Sequence, residues 1–459
     1  MLFSRGVDRA IVGLIFALVC VLTKPVFPYD IPDPTFEVLK PQGVRVSIPD
    51  APDVVVFGFH ANINKAIRPN ERGQIAGAIY SAKNGRWTVE NSDAIIKIGD
   101  VLHYSTYVQN AEKAHWKNDQ RWTYSPTVRL LLEDNFDSLN TSVWKPEIKI
   151  PFDPDYEFCV YHNRKNHEKL VQVRGSNLFI RPLMLEDYYG ENVTAYGRLQ
   201  LNGCTSTINI ECMRQAMSFN ILPPVISARF TTNERFDLRF GKIEIRAKFP
   251  EGDWLYPEMW LEPRYPTYGT NYASGRILLG LSRGNENLMN ATDSSKIYDS
   301  RRLDFGVRIG PSLNEIREKL VTKVNESGPR WTKDFHVYTT FWTSDGFTFL
   351  VDGETVGRIS PDEKGWMNSP YINRKAAPFD QEFFITIGVG VGGVRVFPDG
   401  IQNRYGMRKP WRNVEAKAML NFWNSRDQWL PSWKEDGKES TKTAFVIDYV
   451  KVWTLNQQD

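Results

Sequence analysis

Gly241-Lys-Ile-Glu-Ile-Arg-Ala-Lys-Phe249 alternates apolar and charged side chains without a break. On an extended chain successive side chains point to opposite faces. Ile243, Ile245 and Ala247 therefore share one face, and Lys242, Glu244, Arg246 and Lys248 the other. That pattern predicts an antiparallel strand with one packed face and one wet face. The same reading extends outward. Phe335-His-Val-Tyr-Thr-Thr-Phe-Trp342, Phe347-Thr-Phe-Leu-Val351 and Phe383-Phe-Ile-Thr-Ile387 are strand signals, with hairpin-type turns at Asp345-Gly346 and Asp352-Gly353. Toward the N-terminus, Val44-Arg-Val-Ser-Ile48, Asp53 to Phe59, Arg86-Trp-Thr-Val89 and Val101 to Val108 are shorter signals, bounded by Pro49, Asn84-Gly85 and Gly99-Asp100. Their spacing over residues 29–125 predicts a small immunoglobulin-like β-sandwich. A short link at 126–130 then leads to a second, much larger β-domain over 131–459. One helix is expected, Ser312 to Lys323, with Ser312 as N-cap and Ile316, Leu320 and Val321 on one side.

The 459 residues include 57 basic and 54 acidic side chains, so charge supplies no reason for a nucleic-acid partner. The six histidines show no metal-like spacing, and there is no Gly-x-Ser-x-Gly elbow. No metal and no cofactor are expected. Gly388-Val-Gly-Val-Gly-Gly393 is read as a close-packed strand, not a phosphate cradle.

Residues 1–28 are set apart from the fold. Arg5 and Arg9 precede an apolar run, Ala10 to Leu22, and Pro25 and Pro28 stop any helix. The run is shorter than the ~20 residues that span a bilayer and fits a signal peptide. A single membrane anchor is the alternative, and no later segment is apolar enough to span. Export implies an oxidising compartment. Cys204 and Cys212 are close enough to form a small disulfide loop, while Cys159, in Phe158-Cys159-Val160-Tyr161, is expected to be a buried thiol. Sequons at Asn140, Asn192, Asn290 and Asn325 point to a glycoprotein.

Phe240 to Trp254, Pro257-Glu-Met-Trp-Leu261, Phe335 to Glu354, Ala444 to Trp453 and Glu133-Asp-Asn-Phe-Asp137 occur in the order found in laminarinase-type glycoside hydrolases of family 16. Residues 130–455 resemble those enzymes, which implies a β-jelly-roll. The family holds Glu-x-Asp-x-x-Glu on one strand before Ser-Arg-Gly-Asn, as a pair of carboxyls for retaining hydrolysis and a helper aspartate between them. Here Ser282-Arg-Gly-Asn285 is intact, and the resemblance aligns Arg276 with the nucleophile, Leu278 with the helper and Leu281 with the acid/base. Arginine stays protonated and leucine has no proton to give. Glu258 and Glu262, flanking Trp260, are read as surface or rim carboxylates about 13 Å apart, too far for either hydrolytic geometry. Trp254, Trp260 and Arg283 sit on matching motifs and are expected to line a vestigial cleft.

Tyr29-Asp-Ile-Pro-Asp-Pro34, Val44 to Asp50, Phe57-Gly-Phe-His60, Lys83-Asn-Gly-Arg-Trp-Thr88 and Ile98 to Val108 resemble the N-terminal β-1,3-glucan-binding module of insect Gram-negative-bacteria-binding and β-1,3-glucan-recognition proteins. A departure is Ser105, where that family often has tryptophan. Pyranose faces stack on aromatic rings and hydroxyls bond to charged groups, so Trp87 with Arg86, Asp50 and Tyr107 are the candidate contacts. The layout implies a secreted, extracellular recognition protein. It would bind β-1,3-glucan or another microbial glycan without hydrolysis and signal to a serine-protease cascade. The alternatives are a hydrolase with a non-standard carboxylate pair and a glycoprotein that has lost its sugar affinity.

Overall fold

The computed structural model describes residues 30–39, 41–69, 71–111, 113–162, 169–310, 315–367, 374–435 and 438–455. The expected signal segment and its cleavage site lie outside the described residues. The chain divides into two compact units. The first runs to Ile96 and takes in Leu102–Trp122; the second comprises Lys97–Val101 and Thr123–Asp459. The expected link at 126–130 is corrected: Thr127–Asp134 is a strand paired with Phe445–Leu455.

The first unit is a sandwich of β1 (Thr35–Val38), β2 (Val44–Pro49), β3 (Val54–Ile63), β4 (Ile75–Ile79), β5 (Arg86–Asn91), β6 (Val101–Asn110) and β7 (Ala114–Thr123). One sheet has the order β1-β2-β5 and the other β4-β3-β6-β7. Val46, Ile48, Phe57, Phe59, Trp87, Val89, Leu102 and Tyr104 fill the space between them. The sheets approach closely at Gly77, where a Cβ would come within 2.5 Å of Val89.

The second unit is a large β-jelly-roll. One sheet runs Val171–Val173, Leu178–Ile180, Phe445–Leu455, Gly241–Lys248, His336–Thr343, Gly346–Val351 and Glu354–Ile359, with Thr127–Asp134 also paired to Phe445–Leu455. The other runs Arg317–Val324, Arg302–Gly310, Tyr272–Leu281, Leu255–Pro263, Phe383–Val391, Arg229–Thr231 and Lys145–Pro146. Burial in Gly241–Lys248 alternates at every residue, as its sequence predicts. Ile243 and Ile245 from the first sheet, and Met259, Leu261, Ile277, Phe305, Ile385 and Ile387 from the second, belong to one core. Phe305 lies 5.4 Å from Phe349 and Trp342 5.3 Å from Phe383, joining the two layers. Helix is confined to short segments such as Ala418–Asn424.

The expected helix at Ser312–Lys323 is corrected. Residues 311–314 lie outside the described residues, and Arg317–Val324 is a strand in register with Arg302–Gly310. Val321, Thr322 and Val324 favour an extended chain, and pairing along a ready sheet edge outweighs the weak helical spacing of Ile316 and Leu320. Gly388–Val391 is the end of a strand, as read, and its glycines have a packing reason: a Cβ at Gly390 would meet the Tyr256 ring at 2.2 Å.

Candidate functional site

On the first unit, β2 and β5 pair with Ile48 opposite Trp87 and Pro49 opposite Arg86. Adjacent residues of a strand face opposite ways, so Trp87 and Arg86 cannot form one platform. Trp87 is 4% exposed, in the core, and its indole N–H donates to Asp50 at 2.8 Å. The expectation of a Trp87 stacking platform is corrected: burying the ring and satisfying its N–H is worth more than exposing it. Arg86 lies on the outer face, where it donates to Ser47 Oγ at 3.0 Å and Thr35 Oγ1 at 3.0 Å. Asp50 is exposed at the sheet end.

Tyr107 lies on the outer face of the other sheet, opposite Gly58. Its ring leans over that glycine, 3.4 Å from where a Cβ would stand. The ring packs against Trp116 with centroids 4.6 Å apart, and Trp116 is 46% exposed. The sequence reading named Tyr107 but missed Trp116, which sits in a polar strand, Ala114–Thr123, without apolar alternation. Its signal is that an aromatic ring amid Lys, Asn and Asp has no core to enter.

In the second unit, Trp260 pairs with Leu278 across the sheet, and Arg276 with Arg308. Glu258, Trp260 and Glu262 share one face by alternation, turned away from the Met259 and Leu261 side that packs between the sheets. The register shifts between Leu278 and Leu281, and Leu281 then pairs with Asp304. Leu278 and Leu281 are buried.

The face is filled by charge pairs. Arg276 bridges Asp155 and Glu262, the latter at 2.5 Å. Arg308 reaches Asp155 at 3.2 Å and also pairs with Glu318. Tyr272 donates its hydroxyl to Asp155. Both guanidinium groups lie over the Trp260 ring, Arg276 at 5.2 Å and Arg308 at 5.0 Å. Burial alone would raise the Asp155 carboxyl, but Arg276 and Arg308 hold it well below the usual carboxylate range.

Beside this cluster Arg229 meets three carboxylates: Glu147, Glu157 at 3.2 Å and Glu258 at 3.2 Å. Burial pushes Glu258 up to about 8, against the pull of Arg229 and with the push of Glu157. The ion-pair distance and the raised pKa point opposite ways. The raised direction prevails, because one buried cation cannot neutralise three carboxylates and the ion pair of Lys149 is with Glu147. Glu157 is raised as well, by burial and then by Asp155. Glu258 is therefore buried in the network, correcting the rim reading; Glu262 is partly covered by Arg276 and accepts from Thr386 Oγ1 at 2.8 Å.

The other expected cleft residues are inside the fold. Arg283 donates to the Val396 carbonyl at 2.8 Å and pairs with buried Asp304 at 3.3 Å. Trp254 is 6% exposed, edge-on to Trp411 at 4.9 Å and Phe397 at 5.1 Å. Trp260 is 3% exposed. An open cleft lined by Trp254, Trp260 and Arg283 is thus corrected to a packed set of side chains. Cys204 and Cys212 form a disulfide and Cys159 is a buried thiol. Asn140 and Asn192 are exposed, and Asn290 and Asn325 half-buried.

A family model described as carbohydrate binding domain (family 32), CBM39, matches residues 30–145, and the model for glycosyl hydrolases family 16 matches residues 317–387. A β-1,3-glucan-binding protein of Hyphantria cunea is 33% identical, over 93% of this chain and 96% of its own. One from Tenebrio molitor is 32% identical, over 96% and 99%. Gram-negative bacteria-binding protein 1 of Drosophila melanogaster is 32% identical, over 93% and 96%. Among solved structures, the laminarinase from Rhodothermus marinus matches at 20% identity with a TM-score of 0.45, over 71% of this chain and 96% of that one. The relatives' identity extends over nearly the whole of both chains, and the chain belongs to the family of β-1,3-glucan-binding and Gram-negative bacteria-binding proteins.

Proposed function

We propose that this is a secreted recognition protein that binds β-1,3-glucan or a related microbial surface glycan, does not hydrolyse it, and passes the signal to an extracellular serine-protease cascade. The observation that carries the non-hydrolytic reading is the Arg276 guanidinium, committed to Asp155 and Glu262 at the position aligned with the family nucleophile. Retaining hydrolysis needs a free carboxylate and a protonated carboxyl on either side of the glycosidic bond. On this face Asp155, Glu157, Glu258 and Glu262 are each within ion-pair distance of an arginine. Glycan binding is supported by the match to a carbohydrate-binding model over residues 30–145 and by the relatives' names. The exposed Tyr107–Trp116 pair is the contact surface assigned to it, with Asp50 and Arg86 as polar candidates on the other sheet. Export is supported by the apolar Ala10–Leu22 run, the Cys204–Cys212 disulfide and the exposed sequons at Asn140 and Asn192.

The test is purified mature protein mixed with insoluble β-1,3-glucan, cellulose, chitin or peptidoglycan, with the pellet read for bound protein. Selective pelleting with β-1,3-glucan is expected, and its absence overturns the ligand assignment. In parallel, soluble laminarin is assayed for new reducing ends; sustained release by pure protein overturns the non-hydrolytic reading. Adding protein and glucan to cell-free body fluid should raise serine-protease activity on a chromogenic peptide. An unchanged rate removes the cascade role.

A further inference from the structure

The corner at Asp253–Trp254, the 403–407 turn and the Arg426–Trp429 helix enclose a pocket of about 220 Å³. Arg276, Leu278 and Leu281 do not line it. The corner is held hard. Trp254 sits at φ 65°, in the left-handed region, and its backbone N–H donates to Asn285 Oδ1 at 3.0 Å. The Asp253 N–H donates to Ser432 Oγ at 2.8 Å, and Trp433 donates its indole N–H to the Asp253 carbonyl at 2.9 Å. A non-glycine residue kept at positive φ by this many bonds marks a place where side-chain direction matters.

What the corner aims is the Asp253 carboxyl. Oδ1 accepts from Asn285 at 3.0 Å. Among the described residues no cation pairs with the group and nothing donates to Oδ2. Burial pushes this carboxyl up to about 6, which leaves it mostly ionised at pH 7. A poorly solvated carboxylate with one donor and no cationic partner is costly in a fold and calls for an explanation. Behind it Trp254, edge-on to Trp411, and Trp429, stacked on Phe422 at 4.5 Å, make a stiff floor that is almost wholly covered, so the aromatic ring open to a ligand is Tyr405. At the rim, Tyr405 is 72% exposed on a turn fixed by Asn403 Oδ1, which accepts from the N–H groups of Tyr405 and Met407 at 2.9 and 3.0 Å. Gln428 and Asn287 also line the pocket, and among the described residues neither side-chain amide has a hydrogen-bond partner.

We propose that this pocket binds one terminal pyranose ring of a neutral glycan, with the ring against Tyr405 and its hydroxyls on Asp253, Asn287 and Gln428. The volume falls below the roughly 300–1,000 Å³ of pockets for larger ligands, so it fits a single ring better than an oligosaccharide. A carboxylate among aromatic rings would also suit an organic cation. Three uncommitted polar groups and the arginines Arg404 and Arg408 in the lining favour a polyhydroxylated neutral ligand instead.

The pocket belongs to the second unit and the Tyr107–Trp116 surface to the first, and the pocket is tested separately on the full chain. Saturation-transfer NMR is run with methyl β-D-glucopyranoside and laminaribiose, and with choline as the cationic control. Wild type should transfer saturation to both sugars. Tyr405→Ala and Asp253→Asn should each weaken laminaribiose about ten-fold, while pelleting on insoluble β-1,3-glucan is unchanged. Trp116→Ala should do the reverse. Tyr405 is at the exposed rim, so its variant keeps the test valid if Asp253→Asn fails to fold. No transfer to either sugar, sugar binding unchanged in Tyr405→Ala, loss only in Trp116→Ala, or displacement of the sugars by choline would each overturn the proposal.

Discussion

Trp116 on the first unit is 46% exposed beside Tyr107, whereas Trp260 on the second is 3% exposed beneath two guanidinium groups. Both are aromatic rings on the outward side of a sheet, and both lie where a sugar-binding role is expected. They differ in what their neighbours are doing. Around Trp260, Arg276, Arg308 and Arg229 are each answered by carboxylates from the same unit. Around Trp116 the ring contact among the described residues is with Tyr107, and nearly half of the side chain stays open to solvent. A binding face needs groups that folding has not already used. The face around Trp260 has spent its polar groups on itself, and a glycan on that face would have to break ion pairs to gain hydrogen bonds.

The sharpest way to break this comparison is to remove the central cation. Arg276→Ala leaves Glu262 without its arginine and Asp155 with Arg308 alone, in a poorly hydrated setting. Breaking a buried pair by removing one partner costs about 3–5 kcal/mol. Denaturant unfolding followed by tryptophan fluorescence should show that loss in the second unit, with glucan pelleting retained. A loss under about 1 kcal/mol would mean the cluster is wet and the contrast false.

Trp116→Ala acts on the other side. It should weaken binding to insoluble β-1,3-glucan about ten-fold, or about 1.4 kcal/mol, with no change in melting of the second unit. Retained affinity would move the contact surface toward Asp50 and Arg86.

Glu258 gives a pH test. Its carboxyl is raised from the ordinary 4.5 to about 8, mainly by burial. The native state therefore holds a proton that the unfolded chain releases near 4.5. The stability from that proton is complete below about pH 4.5 and is lost as pH rises through about 8. Glu258→Gln keeps a neutral side chain that donates toward Glu157. Its melting temperature should match wild type at pH 5 and exceed it by several degrees at pH 9, at roughly 2 °C per kcal/mol. A variant less stable than wild type at pH 9 would show that Glu258 works there as an ion-pair partner.

The smallest effect concerns the surface. Asn325 donates its side-chain amide to the Pro329 carbonyl at 2.9 Å, whereas Asn140 and Asn192 are exposed. Mass spectrometry of the secreted protein should find glycans at Asn140 and Asn192 and none at Asn325.

The strands were legible because their signal is local. Gly241–Lys248 alternates in sequence and in burial alike. The opposite facing of Arg86 and Trp87 was equally legible from their adjacency, and a platform built on both overlooked it. The helix expected near Ser312 rested on three apolar residues whose spacing also fits a strand. The ion-pair network was not legible. Asp155, Glu157, Arg229, Glu258, Arg276 and Arg308 come from five separated stretches, and only strand register brings them together. Sequence gives each residue's side of its own strand, but not what lies opposite. Glu258 shows the limit: exposure statistics put a glutamate at the surface, and a buried arginine supplied by another strand reverses that.

Phe445–Leu455 has Gly241–Lys248 on one side and both Leu178–Ile180 and Thr127–Asp134 on the other. It is the latest of the described strands to leave the ribosome, yet it sits inside its sheet. Until it emerges, its earlier neighbours wait with open hydrogen-bonding edges, the kind that invite aggregation. A chain stopped anywhere before Phe445 would keep those edges permanently. The jelly-roll thus closes only once Phe445–Leu455 has been made, so its topology ties closure to the synthesis of that strand.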